Sequence, residues 1–496
     1  MAAMSQSDKG ILVKVSGFLL AFVILLSRPI AAQSIIEIDV RGEWKATYSD
    51  NLNLAIDGET KEGGIVLNAS PGFDVRLKFA KTEFAIDYWM DYFYFLDDKS
   101  TDIRHNLFGT FDTYLFDRKL NISARAGIQQ EFIDRQGGYS NSDANRSNNR
   151  RTIQNYNTSA QWRSRVFDLA NLEMGYRFGQ VYSPADDLDD ETLTVNFSDT
   201  ISHNLTGTLS SGKRFHNFEW KVSGNYQRVE KSLIEEDFSE WRYAAEGEFK
   251  PNRFISFDFG YGIRGNNAQT DKLDLDNRFW SYGVSLKPGP KLNLSFNRED
   301  LGSRNYDTLS VYYQITSRVN FRLTHSVDFT SNALGLADRL QQTNFEQEFG
   351  IDDGTGLPVD DSDISFSLSD IDYEQYIWNG TLTWNKKRDS FYFTGNRERR
   401  VFDADIPNSW SWGGSAGWER QINRLTTISA TVSYRKNFID GGNRIDEYKT
   451  GAVDWQKTLS KYFKAALSYA YTRRSSTDPT GNLSENAITF YLRGTF

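Results

Sequence analysis

Residues Ile488-Thr489-Phe490-Tyr491-Leu492-Arg493-Gly494-Thr495-Phe496 alternate without a break. Ile488, Phe490, Leu492, Gly494 and Phe496 fall on one parity; Thr489, Tyr491, Arg493 and Thr495 fall on the other. A period of two places these sets on opposite faces of a β-strand. One face is apolar, and the strand runs to the last residue, where the ends of most domains fray.

The same alternation recurs upstream. Ile65, Leu67, Ala69, Pro71, Phe73, Val75, Leu77 and Phe79 share a parity, with Asn68, Ser70, Asp74, Arg76 and Lys78 between them. Leu172, Met174, Tyr176 and Phe178 repeat it, as do Ile255, Phe257, Phe259, Tyr261 and Ile263. So do Val319, Phe321 and Leu323, then Trp410, Trp412, Ala416 and Trp418, then Ala465, Leu467, Tyr469 and Tyr471. Mean hydropathy is −0.57 with 25% charged residues, and nothing after Leu26 approaches the roughly 20 apolar residues of a membrane helix. A β-barrel reconciles polar composition with a membrane, because only alternate residues face lipid. The 15% aromatic content suits the aromatic girdles of such a wall.

Short links at Ala80-Lys81-Thr82, Asp117-Arg118-Lys119, Pro251-Asn252-Arg253, Pro288-Gly289-Pro290, Thr316-Ser317-Arg318 and Ile422-Asn423-Arg424 alternate with longer polar segments at 134–150, 183–190, 266–276, 331–373 and 475–483. The pattern predicts an all-β fold: a single transmembrane antiparallel β-barrel of about 22 strands (20–24), with short periplasmic turns and long external loops. Residues 190–211 read as one long strand, and 331–373 has room for another pair. Phe490, Leu492 and Phe496 are the expected C-terminal assembly signal, with the barrel assembly machinery and outer-membrane lipid as partners.

Lys9 and Lys14 precede an apolar run from Val15 to Leu26 and the small residues Ala31-Ala32, which predicts a signal peptide over 1–32 and a barrel over 33–496. The first strand, expected over Ile36–Leu54, starts at once, leaving no room for an N-terminal plug domain. Removing Lys9, Lys14 and Arg28 against Asp8 makes a chain of net charge −9 still more acidic, which argues against nucleic acid as a partner. The absence of Cys excludes lipoprotein modification, disulfides and thiolate metal sites.

If the apolar parity faces lipid, the other parity lines the lumen. Arg41, Glu43 and Lys45 on the first strand, Asp87 and Asp91 on the third, and Arg177, Arg264 and Arg322 further on are the lumen-facing candidates. A wall charged with both signs suits a hydrated passage for a polar solute, and equally a lattice of cross-strand ion pairs. The acidic segment 331–373 carries Asp352-Asp353 and Asp360-Asp361-Asp363 without the spacing of an EF-hand, and reads as a solvated loop or a pore constriction. His105, His203 and His325 share parity with apolar neighbours, and His216 lies in a turn. No base therefore reaches a nucleophile locally, and no catalytic, metal or cofactor role is expected.

Gly42-Glu43-Trp44 leads to Tyr48-Ser49-Asp50-Asn51-Leu52-Asn53-Leu54, followed by Ser70-Pro71-Gly72-Phe73 and Asp87-Tyr88. Tyr471-Thr472-Arg473-Arg474-Ser475-Ser476 and Glu485-Asn486 precede the last strand. Together these segments resemble the PEP-CTERM (exosortase) system-associated outer-membrane β-barrel family, related to barrels of capsule and exopolysaccharide loci. The resemblance implies an outer-membrane channel or export-associated protein for exopolysaccharide or another hydrophilic polymer, with polysaccharide or periplasmic export components as partners. The residues alone leave a second expectation, a structural or docking barrel with a loop-occluded lumen, and a more remote third, an embedded hydrolase.

Overall fold

The computed structural model describes residues 35–132, 142, 144–146, 150–182, 199–232, 237–267, 278–302, 305–330, 373–402, 406–478 and 481–496. The expected signal peptide, the question of a plug and the acidic segment 331–372 lie outside the described residues.

The strands are β1 (Ile35–Ser49), β2 (Gly64–Lys78), β3 (Thr82–Phe95), β4 (Thr101–Leu115), β5 (Leu120–Phe132), β6 (Arg150–Val166) and β7 (Ala170–Tyr182). Next come β8 (Thr200–Ser211), β9 (Phe218–Lys231), β10 (Phe238–Asn252), β11 (Ile255–Asn266), β12 (Phe279–Gly289), β13 (Leu292–Asp300) and β14 (Asn305–Thr316). The last are β15 (Val319–Thr330), β16 (Tyr373–Lys386), β17 (Asp389–Phe402), β18 (Ser409–Asn423), β19 (Thr426–Ile439), β20 (Arg444–Thr458), β21 (Phe463–Ser476) and β22 (Leu483–Thr495). They form one 22-stranded antiparallel sheet in which β1 pairs with both β2 and β22, so the sheet closes on itself.

Closure satisfies every strand edge, which a lipid environment demands. At the seam, Arg41 lies opposite Thr495 and Ser49 opposite Ala487. The Phe496 amide donates to the Val40 carbonyl at 2.8 Å, and the Val40 amide donates back at 3.1 Å. Even-numbered strands end in short turns, odd-numbered strands in the longer connections, and both described chain ends sit at the short-turn rim. That rim is periplasmic in barrels of this kind and the other is external.

Three expectations need correction. β1 stops at Ser49 rather than Leu54, because the Asn51 side chain diverts the backbone. Its Oδ1 accepts from the Ala55 amide at 2.8 Å and its Nδ2 donates to the Ala55 and Ser484 carbonyls, both at 3.0 Å. Leu52 then turns inward and is fully buried with Val66, Phe93, Phe95 and Ala144. Tyr373, read as the end of a loop, opens β16 opposite Thr330 and Phe402. The long strand expected over 190–211 starts at Thr200; residues 183–198 lie outside the described residues.

Candidate functional site: the inner wall

Strand register separates the two faces. Ile38, Val40, Trp44 and Tyr48 on β1 sit opposite Val75, Phe73, Ala69 and Ile65 on β2, and exposed apolar side chains continue on this parity around the sheet. The other parity holds Arg41, Glu43, Lys45, Asp74, Asp87, Asp91, Arg177, Arg264 and Arg322. Arg242 on β10 reaches Glu299 on β13 at 2.5 Å, passing over two intervening strands. Strands about 4.8 Å apart allow such a reach only on a concave surface, so the charged parity is the inside.

The inner wall repeats one motif: an arginine paired with a carboxylate and laid over an aromatic ring. Arg41 pairs with Asp87, has Asp74 at 3.7 Å, and lies 5.0 Å from the Trp89 ring centre. Arg104 meets Asp102 at 2.7 Å and covers Phe93 at 4.2 Å. Arg264 meets Glu240 at 2.6 Å and covers Tyr306 at 4.3 Å. Arg400 meets Glu398 at 2.6 Å and covers Tyr373 at 4.4 Å. Arg474 meets Asp446 at 3.3 Å beside Tyr448 at 5.9 Å, and both members of that ion pair are shut off from solvent.

Arg242 is the most connected member. Besides Glu299 it reaches Glu246 at 2.8 Å, and Lys221 reaches Glu246 from the other side at 2.5 Å. Its guanidinium lies 4.9 Å from the Phe279 ring centre. That ring occupies the space over Gly262, where a Cβ would come within 2.5 Å of it. Small residues at Gly260, Gly262, Ser281 and Gly283 leave the trough in which Arg242 and Glu299 meet.

Of the candidates, the structure brings Glu43 and Lys45 together at 2.8 Å, with Arg493 on Glu43 at 2.6 Å across the seam. Asp91 accepts from Asn106 at 2.9 Å and from Ser70 at 2.5 Å. Arg177 sits between Ser159 and Asn204, and Arg322 between Tyr312 and Thr381, each away from the Arg–aromatic groups above. The sequence reading missed Arg104, Arg242, Arg400 and Arg474; their parity was available in the sequence, but their rings were not. It also missed Arg146, outside the strands, which meets Asp97 at 2.5 Å and Asp98 at 2.9 Å while covering Phe95 at 4.6 Å. Beside it, the Ser100 amide holds the Asp98 carboxyl below the usual carboxylate range.

Three of the histidines lie on the outer parity. His105 meets the Tyr88 hydroxyl at 2.9 Å, His203 the Tyr176 hydroxyl at 2.8 Å, and His325 stacks on Trp378 with centroids 4.1 Å apart. These pairs belong to the apolar face. Among the described residues, no group of three His, Asp or Glu side chains could hold a metal ion.

A closed, even-numbered antiparallel sheet with its apolar parity outward and its charged parity inward defines the class: a β-barrel of the bacterial outer membrane. No family model matches the chain, and no curated protein matches it. Among solved structures it is similar to a mutant of the ferric enterobactin receptor PfeA of Pseudomonas aeruginosa, at 9% identity over 92% of this chain and 80% of that one, with a TM-score of 0.47. It is also similar to the siderophore receptor PirA of Acinetobacter baumannii (8% identity, 95% and 81% covered, TM-score 0.48). A third likeness is to OprD of Pseudomonas aeruginosa (9%, 93% and 95%, TM-score 0.35). At such identities nothing these proteins bind carries over.

Proposed function

We propose that the chain is an outer-membrane channel or export-associated barrel of the PEP-CTERM-associated kind, passing a hydrophilic polymer of the exopolysaccharide class and catalysing no reaction. The observation that carries this reading is the inner wall of paired arginines, carboxylates and rings. Guanidinium donors and carboxylate acceptors meet sugar hydroxyls from both sides of the hydrogen bond, and aromatic faces suit the apolar faces of sugar rings. Because most charges on this wall are paired, the field along it is weak in either sign, which fits a neutral or mildly charged polymer rather than a strongly ionic solute.

A docking barrel with an occluded lumen is the second reading, favoured by the cross-strand tie from Arg242 to Glu299, which stiffens the wall without any solute. The deciding measurement is single-channel conductance of residues 33–496, with and without 331–373. Steady conductance with little ion selectivity, together with loss of surface polymer on deletion of the gene, supports export. Conductance only after removal of the segment makes that segment a gate. Silence in both forms, with surface polymer unchanged, overturns the channel reading and leaves the scaffold.

A further inference from the structure

Among the described residues, positive charge on the external half of the outer face is densest in one sector. On the external half of β17–β21, among the described residues, the lipid-side parity carries Arg397, Arg399, Lys436, Lys449 and Arg473 against a single carboxylate, Glu447, while at the opposite end Asp389 pairs with Arg420. Elsewhere on the external half of this face, the cations Arg228 and Arg298 are each matched by acids, through Glu230 and Asp237 and through Asp307. A chain of net charge −9 therefore presents a concentrated positive surface toward lipid.

Register fixes the depth of that surface. Arg397 lies opposite Trp412 and Arg399 opposite Trp410, with Lys436 on the far side of Trp412. Trp410 stacks on Phe438 at 5.0 Å and Trp412 packs on Tyr434 at 5.3 Å. This is an aromatic girdle at the external rim; Trp418, Phe391 and Trp455 mark the opposite boundary. Girdle aromatics sit at headgroup level, so the cations among them do too. Glu447 holds Lys436 at 2.8 Å and stands 3.8 Å from Lys449, whereas among the described residues no carboxylate pairs with Arg397 or Arg473, and both are exposed.

We infer that this sector binds phosphate-bearing lipid of the outer leaflet, the arginines taking phosphate oxygens and the tryptophans packing on the adjoining acyl and sugar portions. Arginine forks match phosphate geometry, and a girdle-level cation has no better counter-ion than a headgroup. The inference is independent of what crosses the lumen.

The test is native mass spectrometry of the full-length barrel, extracted and exchanged into a neutral detergent, then titrated with bisphosphorylated lipid A and with the same lipid stripped of phosphate. The wild type should retain the phosphorylated form selectively. Arg397→Gln/Arg399→Gln/Arg473→Gln should bind it on the order of a hundredfold more weakly, the scale of three headgroup-level cations. Replacement of the same three by Lys should keep much of the binding, and heat-modified gel migration should show all variants folded. Equal retention of both lipids, or equal binding by wild type and the Gln variant, overturns the inference. A stable dimer formed through this face without lipid also overturns it, by making the sector a contact between copies.

Discussion

Alternation makes a sharp claim about each residue: neighbours point into different media. Val432 lies on the outer parity between Ala416 and Gly451, midway between the two girdles, and is 60% exposed. Val432→Arg should cost about 2–4 kcal/mol in a chemical-denaturation assay in lipid vesicles, because a guanidinium at the bilayer midplane lacks water. Ser433→Arg, one residue on and inside, should cost less than half of that. Equal costs would reverse the two faces. Asn51 makes a second residue-scale claim. Ser49 donates to Glu485 at 2.6 Å, Asp50 accepts from the Asn486 amide at 2.8 Å, and Asn51 bonds to Ser484, so the end of β1 and the residues after it meet the start of β22 at the external end of the seam. Asn51→Ala leaves a buried amide and carbonyls unmatched and should destabilise the barrel by about 1–3 kcal/mol, read as a lower midpoint in the same assay.

At the scale of elements, the ion pairs of the inner wall behave unlike surface pairs. Asp446 is fully buried and is the shared acceptor of Arg474 at 3.3 Å, Arg444 at 3.2 Å and the Ser476 hydroxyl, so Asp446→Leu should cost about 3 kcal/mol, whereas Arg474→Ala leaves Arg444 and Ser476 on the carboxylate and should cost less. The unfolding midpoints of the two variants check this. The β4–β5 turn carries a different strain: Phe116, Asp117 and Arg118 all have positive φ, at 50°, 55° and 67°. Arg118→Gly relieves one left-handed side chain and should stabilise the barrel by about 1 kcal/mol, provided the turn keeps its shape.

Elements also show where the sequence was readable. Parity needs only a period of two, so Arg41, Asp87 and Arg264 could be assigned a face from the sequence alone. Their partners depend on the stagger between strands, which no local pattern encodes: Arg242 finds Glu299 at a separation of 57 residues. The end of β1 was misjudged for the same reason, since the side chain that diverts it is anchored partly by Ser484 at the far end of the chain.

For the whole molecule, the balanced inner wall has an electrical consequence. A conducting barrel should show a reversal potential near zero in a salt gradient, because most inner charges are paired. Arg242→Glu would bring four carboxylates together at Glu240, Glu246, Glu299 and the new side chain, and should shift the reversal potential toward cation preference. No shift would mean that permeant ions do not pass this part of the wall.

The seam between β1 and β22 sets the order of events in assembly. Its contacts, such as Val40 with Phe496, join residues more than 400 positions apart, while every other ladder joins strands adjacent in sequence. Local hairpins can zip early, but the entropy of closing so long a loop is recovered only when the final strand docks. Until then, the curled sheet has two open edges able to pair with a neighbouring chain. The period of greatest aggregation hazard is therefore the interval between translation of β22 and its docking on β1.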